Sequence, residues 1–489
     1  TMGQGGFQEV EQMNLFKDMV CYQEEVRDPS RMAEVLNRVI EKAIRGSAPA
    51  QINVPRDYWT QIIDIELPPI VRLERQGGGT DAITKAANLL SKAKFPVILS
   101  GAGVVIGGAI EETKNLAEKL DSPVCSGYQH NDSFPGSHPL AVGPLGYNGS
   151  KAAMELISKA DVVLALGTRL NPFSTLPGYG IDYWPKNANI IQVDINPDRI
   201  GLTKKVTVGI SGDAKLVAQQ IFDKLSLNAG DTDRQKRKDL IHQTKSAWLQ
   251  KLSSLDHEED DEGTVWNKEA RERDKDRMSP RQAWRAIQVG MPEDVIISSD
   301  IGNNCAIGNA YPTFEKPRKY LAPGLFGPCG YGFPSILGAK IGCPDTPVIG
   351  FAGDGAFGIS MNEMSSCARE EWPAITMVIF RNYQWGAEKR NTTLWYDNNF
   401  IGTELDPNLS YSKVAEACGL KGVTVKTMEE TTTAIKQSCE DQKKNITTFI
   451  EVILNQELGE PFRRDAMKTP VKVAGIDKKD MRPQKSLNG

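Results

Sequence analysis

The feature that most limits the fold of this chain is a series of short, wholly apolar runs, each closed by a polar or glycine-rich turn. FPVILSGAG (95–103), ADVVLALGTRL (160–170) and ANIIQVDINPDRIG (188–201) form one set. DVIISSD, TPVIGFAGDG, AITMVIFRN and TTFIEVIL form a second, between residue 280 and about residue 454. Strands that show no alternation of apolar and polar residues are covered on both faces, and strands separated by helical sequence pair in parallel. Right-handed crossover helices then bring the polar turns to one edge of each sheet. An α/β protein with parallel sheets flanked by helices is expected.

The chain's 489 residues are enough for about three domains. Residues 79–225 make a central α/β domain and residues 280–460 another. Residues 226–279 are charge-dense, include DHEEDDEG at 256–263, and read as a solvated linker with helical pieces, one of which carries Trp248 and Leu249. The tail, 461–489, is polar and basic. The first block, 1–70, holds a helix over PSRMAEVLNRVIEKAIRG, opened at Pro29-Ser30 and stopped at Gly46, then a strand in Ala50–Val54. One helix and one strand do not close a domain, so this block reads as the C-terminal remnant of one that starts earlier. The architecture expected is three-domain, with the first domain incomplete.

Bulk properties exclude several classes. A formal net charge of −4 and a pI near 5.8 argue against a general nucleic-acid or membrane-surface binder. No apolar run approaches the ~18–20 residues that span a bilayer. The opening TMGQGGFQEVEQ lacks the basic and apolar regions of a signal peptide. Eight scattered cysteines with no C-x-x-C pair point to reduced thiols and a cytoplasmic setting. The histidines (His130, His138, His242, His257) do not cluster with them at zinc-ligand spacing.

The chemistry concentrates between Asp300 and Asn382. Gly353-Asp354-Gly355 ends the apolar strand VIGF and opens a helix. Glycines let backbone N–H groups approach a phosphate, and a helix start favours negative charge. A carboxylate at that place makes sense if Mg²⁺ lies between it and the phosphate. Mg²⁺ takes about six oxygens, so a second ligand must arrive from a neighbouring strand. ITMVIF ends at Arg381-Asn382, 28 positions after Asp354, the length of a strand–helix–strand return. Asn382 is expected to set an amide oxygen beside Asp354, with a turn carbonyl near Gln384 as a third ligand. A bare GDG is also a tight, capped turn; the strand-terminal Asn after the crossover favours the metal–phosphate reading.

GDG followed at this distance by Asn resembles the signature of the thiamine diphosphate-dependent enzymes, where relatives often carry Asn-Asn in place of Arg381-Asn382. Asp300-Ile301-Gly302-Asn303-Asn304 is similar to the family's loop over the diphosphate end. Gly327-Pro328-Cys329-Gly330-Tyr331-Gly332 is similar to the turn beneath the aminopyrimidine, with Cys329 where many relatives hold a larger apolar residue that bends the cofactor. The resemblance implies thiamine diphosphate and Mg²⁺ as cofactors. Their contacts would be Gly302, Asn303, Asn304, Gly327, Cys329, Gly353, Asp354, Gly355, Ala356, Asn382, Tyr383 and Gln384, with Asp354, Asn382 and Gln384 on the metal. Tyr383 and Trp385 are candidates for the pocket wall or for ordinary packing.

Across the chain the resemblance narrows to the acetolactate synthase-like branch. Within it, the chain is similar to acyltransferases that turn sulfoacetaldehyde and phosphate into acetyl phosphate and sulfite, in taurine and sulfonate breakdown. GQGGFQEVEQM, FRNYQWGAEKRNTTLWYDNNFIGTEL, NQELGEPFRRDAMK and the long stretch from YQHNDSF to GIDYWP carry that similarity. The implied reaction passes through an acetyl group carried on the cofactor. Both substrates are anions, which suits the planar fork of arginine. Lys389-Arg390 and Arg463-Arg464 are the candidate cations, and solvated surface charge is the alternative for each pair. Phe7 and Gln8 match a family segment that reaches the active site from the other domain. Family members build each site from two chains, so a homodimer or homotetramer is implied. They also carry a cofactor-activating glutamate well before Phe7-Gln8-Glu9, which makes this chain read as N-terminally truncated, with 1–70 a remnant of the pyrimidine-binding domain. Alternatives open here are an acetolactate synthase-like carboligase, a sulfopyruvate decarboxylase-type enzyme and an inactive cofactor-binding fragment. A flavin or nicotinamide oxidoreductase rests only on GAGVVIG (101–107), which otherwise reads as a structural turn.

Overall fold

The computed structural model describes residues 3–69, 74–179, 181–227, 233–255, 272, 274–324, 326–395 and 399–456. Expectations for Arg463, Arg464 and the rest of the tail lie outside the described residues. Residues Thr1–Gln76 and Gly77–Gly489 form two compact units.

In the first unit β1 (Tyr22–Glu25) and β2 (Ala50–Asn53) pair in parallel. The helix Met32–Gly46 makes the crossover, burying Val35 and Val39 together with Val26. Asp28 starts the turn before it by accepting a hydrogen bond from the Ser30 N–H, and Ser47, in the left-handed conformation, ends it.

The second unit contains two six-stranded sheets, both wholly parallel. The first is made of β3 (Pro96–Ser100), β4 (Val124–Ser126), β5 (Ala141–Pro144), β6 (Val162–Leu166), β7 (Asn189–Asp194) and β8 (Val208–Ser211), in the order β5-β4-β3-β6-β7-β8. The second is made of β9 (Ile296–Ser299), β10 (Tyr320–Leu321), β11 (Val348–Gly353), β12 (Thr376–Arg381), β13 (Lys421–Val425) and β14 (Thr448–Ile453), in the order β10-β9-β11-β12-β14-β13. Every residue of β3, β6 and β12 is buried, as the unbroken apolar runs require when helices cover both faces. Where the first sheet reverses, between β3 and β6, the Gly101 N–H donates to Leu166 O (3.0 Å) and the Gly103 N–H to Gly167 O (2.9 Å). The glycine turn of GAGVVIG is thus joined to the turn leaving β6.

The two sheets belong to one body. After β4, Asn131 Nδ2 donates to the carbonyls of Asn309 and Pro312 (2.9 Å each), and Asp132 Oδ2 accepts from the Lys319 and Tyr320 N–H groups (2.9 and 3.3 Å). Of the charge-dense segment 226–279, DHEEDDEG at 256–263 lies outside the described residues, and the helical piece expected around Trp248 is more buried than a solvated linker. Asp233–Leu255 is a single helix, and Ile241, Trp248 and Leu252 are buried on one face, reaching the cores of both sheets. Leu249, beside them in sequence, is about half exposed. Arg237 anchors the helix: Nε, Nη1 and Nη2 donate to the carbonyls of Asp121 (3.1 Å), Lys94 (2.7 Å) and Leu120 (3.0 Å). A buried guanidinium that ends three carbonyls is a core member that a hydrophobicity pattern scores as surface. Arg237→Met leaves those carbonyls without their donors and is expected to destabilise the fold by about 3 kcal/mol. Denaturant titration checks this; a change below about 0.5 kcal/mol would remove the anchoring role.

Candidate active site

The site forms where the second sheet reverses. β10 lies outboard of β9 while β11 lies on its other side, so the loops leaving β9 and β11 part and open a crevice at the carboxyl ends of the strands. Open α/β sheets bind ligands at such a point. Loops from β9, β11 and β12 meet there.

Asp300 builds the first loop. It follows β9, is 1% exposed, and accepts three backbone N–H groups: Ile301 (2.8 Å) and Gly330 (3.1 Å) on Oδ1, and Gly332 (2.7 Å) on Oδ2. One carboxylate thereby ties the 300–304 loop to the 327–332 turn. Burial pushes its pKa up, against the pull of those donors. Gly302 has φ +120° and opens the helix Asn303–Ile307, in which Asn303 and Asn304 are buried. Beneath it Trp284 donates its Nε1–H to Asn304 O (2.6 Å) and packs against the rings of Phe351 and Phe380. Gly327 has φ +62° and lies against the Ile301 side chain. Cys329 is half-buried, and its thiol is pushed up by burial first, then by the Asp300 and Glu388 carboxylates.

Asp354, 1% exposed, begins the helix Asp354–Ser360 directly after β11. Its Oδ2 accepts from Arg381 Nη1 (3.0 Å) and the Tyr383 N–H (2.6 Å), and its Oδ1 from the Gly355 N–H (3.0 Å). Burial pushes its pKa up to about 6, with Arg381 pulling the other way. A Cβ on Gly355 would stand 2.9 Å from the Trp385 ring, so only glycine lets that indole close over the turn. Ala356 is buried in the first turn of the helix.

Asn382 follows β12 and is 2% exposed. Its carbonyl accepts from Gln456 Nε2 (3.2 Å), and its side-chain amide bonds to none of the described residues. Tyr383 has φ +62°, a conformation costing an aromatic residue ~1–2 kcal/mol. Four contacts hold it there: its N–H on Asp354, its carbonyl accepting from the Leu405 N–H (3.0 Å), and its ring against the guanidiniums of Arg381 (4.1 Å) and Arg277 (4.9 Å). Gln384 Nε2 donates to Gln456 O (3.4 Å), and its main chain bridges to Glu404.

These residues fit Mg²⁺ and a diphosphate. A Cβ on Gly302 or Gly353 would meet no atom within 4 Å, so the ends of β9 and β11 open onto free space. Asp354 Oδ1 and the Asn382 amide come from adjacent strands and are hard oxygen ligands of the kind Mg²⁺ takes. Asn304 Oδ1 is buried without a partner among the described residues, a donor-seeking atom at the same loop.

Other expected residues fall differently. Lys389 is no anion-binding cation at a pocket mouth: its side chain is 4% exposed, ion-paired with Glu404 and bonded to Gln456 Oε1 (3.3 Å). The side chain of Arg390 lies outside the described residues, as do Arg463 and Arg464. Phe7 is 95% exposed on the first unit, and Gln8 beside it has φ +63°. Sequence reasoning missed the tie made by Asp300, the Arg381–Glu451 pair and the buried hub Gln456. A signal for Arg381 existed, because a charge closing an apolar strand has to be paired.

With this geometry in place, comparison with known proteins gives the class. Residues 83–221 match the model "Thiamine pyrophosphate enzyme, central domain", and residues 300–452 match "Thiamine pyrophosphate enzyme, C-terminal TPP binding domain". The chain belongs to the thiamine pyrophosphate enzyme family. It is 77% identical over 487 residues to a probable sulfoacetaldehyde acetyltransferase of Rhizobium meliloti, covering 100% of this chain and 82% of that one. It is 73% identical to the sulfoacetaldehyde acetyltransferase of Roseovarius nubinhibens, covering 99% and 80%. A probable acetolactate synthase large subunit of Methanocaldococcus jannaschii is 30% identical, covering 89% and 72%.

The raised Asp354 pKa has a testable consequence. In the metal-free protein burial favours the neutral acid relative to the unfolded chain, so this group's contribution to stability is full below the unfolded value of about 3.9 and lost as pH rises through about 6. A Mg²⁺ ion held by Asp354 would need the ionised form and would compete with that proton. Calorimetry of Mg²⁺ binding in the presence of thiamine diphosphate is expected to give constant affinity above about pH 7, then a fall approaching tenfold per unit below about pH 6. Constant affinity down to pH 4.5 would contradict a raised Asp354 pKa in the metal-free site.

Proposed function

We propose that this protein is a thiamine diphosphate- and Mg²⁺-dependent acyltransferase that converts sulfoacetaldehyde and phosphate into acetyl phosphate and sulfite. The observation that carries this reading is the 77% identity, along the whole chain, to a relative named for that activity, against 30% for an acetolactate synthase. The atoms balance without an external oxidant: the carbon–sulfur bond breaks, sulfite keeps its electron pair, and the aldehyde carbon is left at the acyl level for phosphate. Thiamine diphosphate held by the residues below would supply a carbanion nucleophile and an acyl carrier.

The protein's part is to bind and orient. Asp354, Asn382 and the main chain at Gln384 are assigned to Mg²⁺. Gly302, Asn303, Asn304 and the turn Gly353-Asp354-Gly355-Ala356 are assigned to the diphosphate, and Gly327 and Cys329 to the floor under the pyrimidine. With Lys389 committed to Glu404, Arg390, Arg463 and Arg464 are left as candidates for the sulfonate and phosphate, and Phe7 and Gln8 for the pocket edge. We also infer a homodimer or homotetramer, supported by exposed apolar side chains on the first unit (Phe7, Leu36, Ile40, Ile44, Trp59). No helix among the described residues is long and apolar enough to cross a membrane. All eight cysteines are free thiols, which supports a cytoplasmic location.

The test uses the protein as its gene encodes it. Sulfoacetaldehyde plus phosphate is expected to yield sulfite and acetyl phosphate in equal amounts, and Asp354→Ala to slow this by at least ~100-fold. Pyruvate consumption that does not depend on phosphate would mark a carboligase instead.

A further inference from the structure

Arg381 is wholly buried at the end of β12, and its contacts run in several directions. Nη1 donates to Asp354 Oδ2 (3.0 Å). Nη2 donates to the carbonyls of Asp406 and Leu409, the latter at 2.9 Å. Nε stands 3.6 Å from Oε1 of Glu451. That carboxylate is 2% exposed and accepts from the hydroxyls of Ser410 and Ser412 and from the N–H groups of Tyr411 and Ser412. The guanidinium also lies 4.1 Å from the Tyr383 ring and 5.4 Å from the Tyr411 ring. One side chain therefore joins the Asp354 carboxylate, the strained residue beside Asn382 and the segment 406–412.

The two oxygens of Asp354 are left unequal. Oδ2 already holds two donors, Arg381 and the Tyr383 N–H, whereas Oδ1 holds one. A carboxylate oxygen with two close donors has little lone-pair density left for a cation. We propose that Arg381 is a positioning residue that makes Asp354 a one-oxygen ligand and thereby sets the preference of the site for Mg²⁺ over Ca²⁺. The inference rests on the reading of Asp354 as a metal ligand. Mg²⁺ demands near-octahedral geometry from single oxygens at about 2.1 Å, whereas Ca²⁺ takes six to eight oxygens and readily grips both atoms of one carboxylate. Freeing Oδ2 opens the site to the larger ion. Removing the guanidinium also makes the surroundings more negative, which strengthens binding of either cation. The ratio of the two affinities, rather than either alone, reports on Arg381.

The experiment titrates Mg²⁺ and Ca²⁺ separately in the presence of thiamine diphosphate, following tryptophan fluorescence, since Trp385 lies against the Gly355 turn. Wild type is expected to prefer Mg²⁺. Arg381→Gln is expected to narrow the Mg²⁺/Ca²⁺ ratio by about tenfold or more, and Arg381→Lys, which keeps a charged donor for Oδ2, to restore most of it. Circular dichroism of the metal-free variants establishes that they are folded. An unchanged ratio in folded Arg381→Gln overturns the proposal. Should that variant not fold, wild-type crystals soaked with Ca²⁺ and thiamine diphosphate decide: contact with a single Asp354 oxygen supports the proposal, and contact with both overturns it. If wild type binds thiamine diphosphate without any divalent cation, or Asp354→Ala binds as wild type does, the metal-site reading fails instead.

Discussion

A carboxylate buried at the carboxyl end of a parallel strand loses its water and must be met by donors or by a cation. The second sheet presents two of them on neighbouring strands, and their fates differ. Asp300 is met by three backbone N–H groups across both oxygens, so it is spent on structure. Asp354 is met unevenly, with Arg381 and the Tyr383 N–H on one oxygen and only the adjacent Gly355 N–H on the other. The less occupied oxygen is where the fold leaves room for chemistry. Parallel pairing makes this possible, because it brings the exits of β9, β11 and β12 to one edge and within reach of one another.

Holding that edge in shape uses side chains from far along the chain. Gln456, 1% exposed, donates to the Asn382 carbonyl and receives the Lys389 ammonium on its own oxygen, while Gln384 bonds to its main chain. Trp284 supports the 303–307 helix from below, and Tyr411 donates its hydroxyl to the Asp354 carbonyl (2.9 Å). The positive φ of Tyr383 is sustained by this surrounding network, the pattern in which local strain persists at a functional loop.

Much of the layout was legible in the sequence. The apolar runs that became β3, β6, β7, β9, β11, β12 and β14 showed themselves by lacking alternation, and Asp354 and Asn382 by ending strands one crossover apart. Short strands were not seen: β10 has two residues and β4 three, too few for any period to register. Helical sequence was legible around Trp248, but its burial was not, because the buried face of Asp233–Leu255 is carried by Arg237, Ile241, Trp248 and Leu252 among dense charge. Lys389 was misread because sequence proximity to Asn382 says nothing about Glu404, which arrives from a later loop to neutralise it. Two of the three partners of Asp300, Gly330 and Gly332, lie about thirty residues away, and all three are backbone groups, which carry no residue-type signal at all.

The central claim is that the exits of β11 and β12 hold the cation that receives the diphosphate. It is tested most directly by anomalous diffraction from crystals grown with Mn²⁺, in place of Mg²⁺, and thiamine diphosphate. The account predicts a single strong peak within about 2.2 Å of Asp354 Oδ1 and of the Asn382 amide oxygen. A cofactor bound with its metal elsewhere, or with Asp354 still making only its protein contacts, would contradict it.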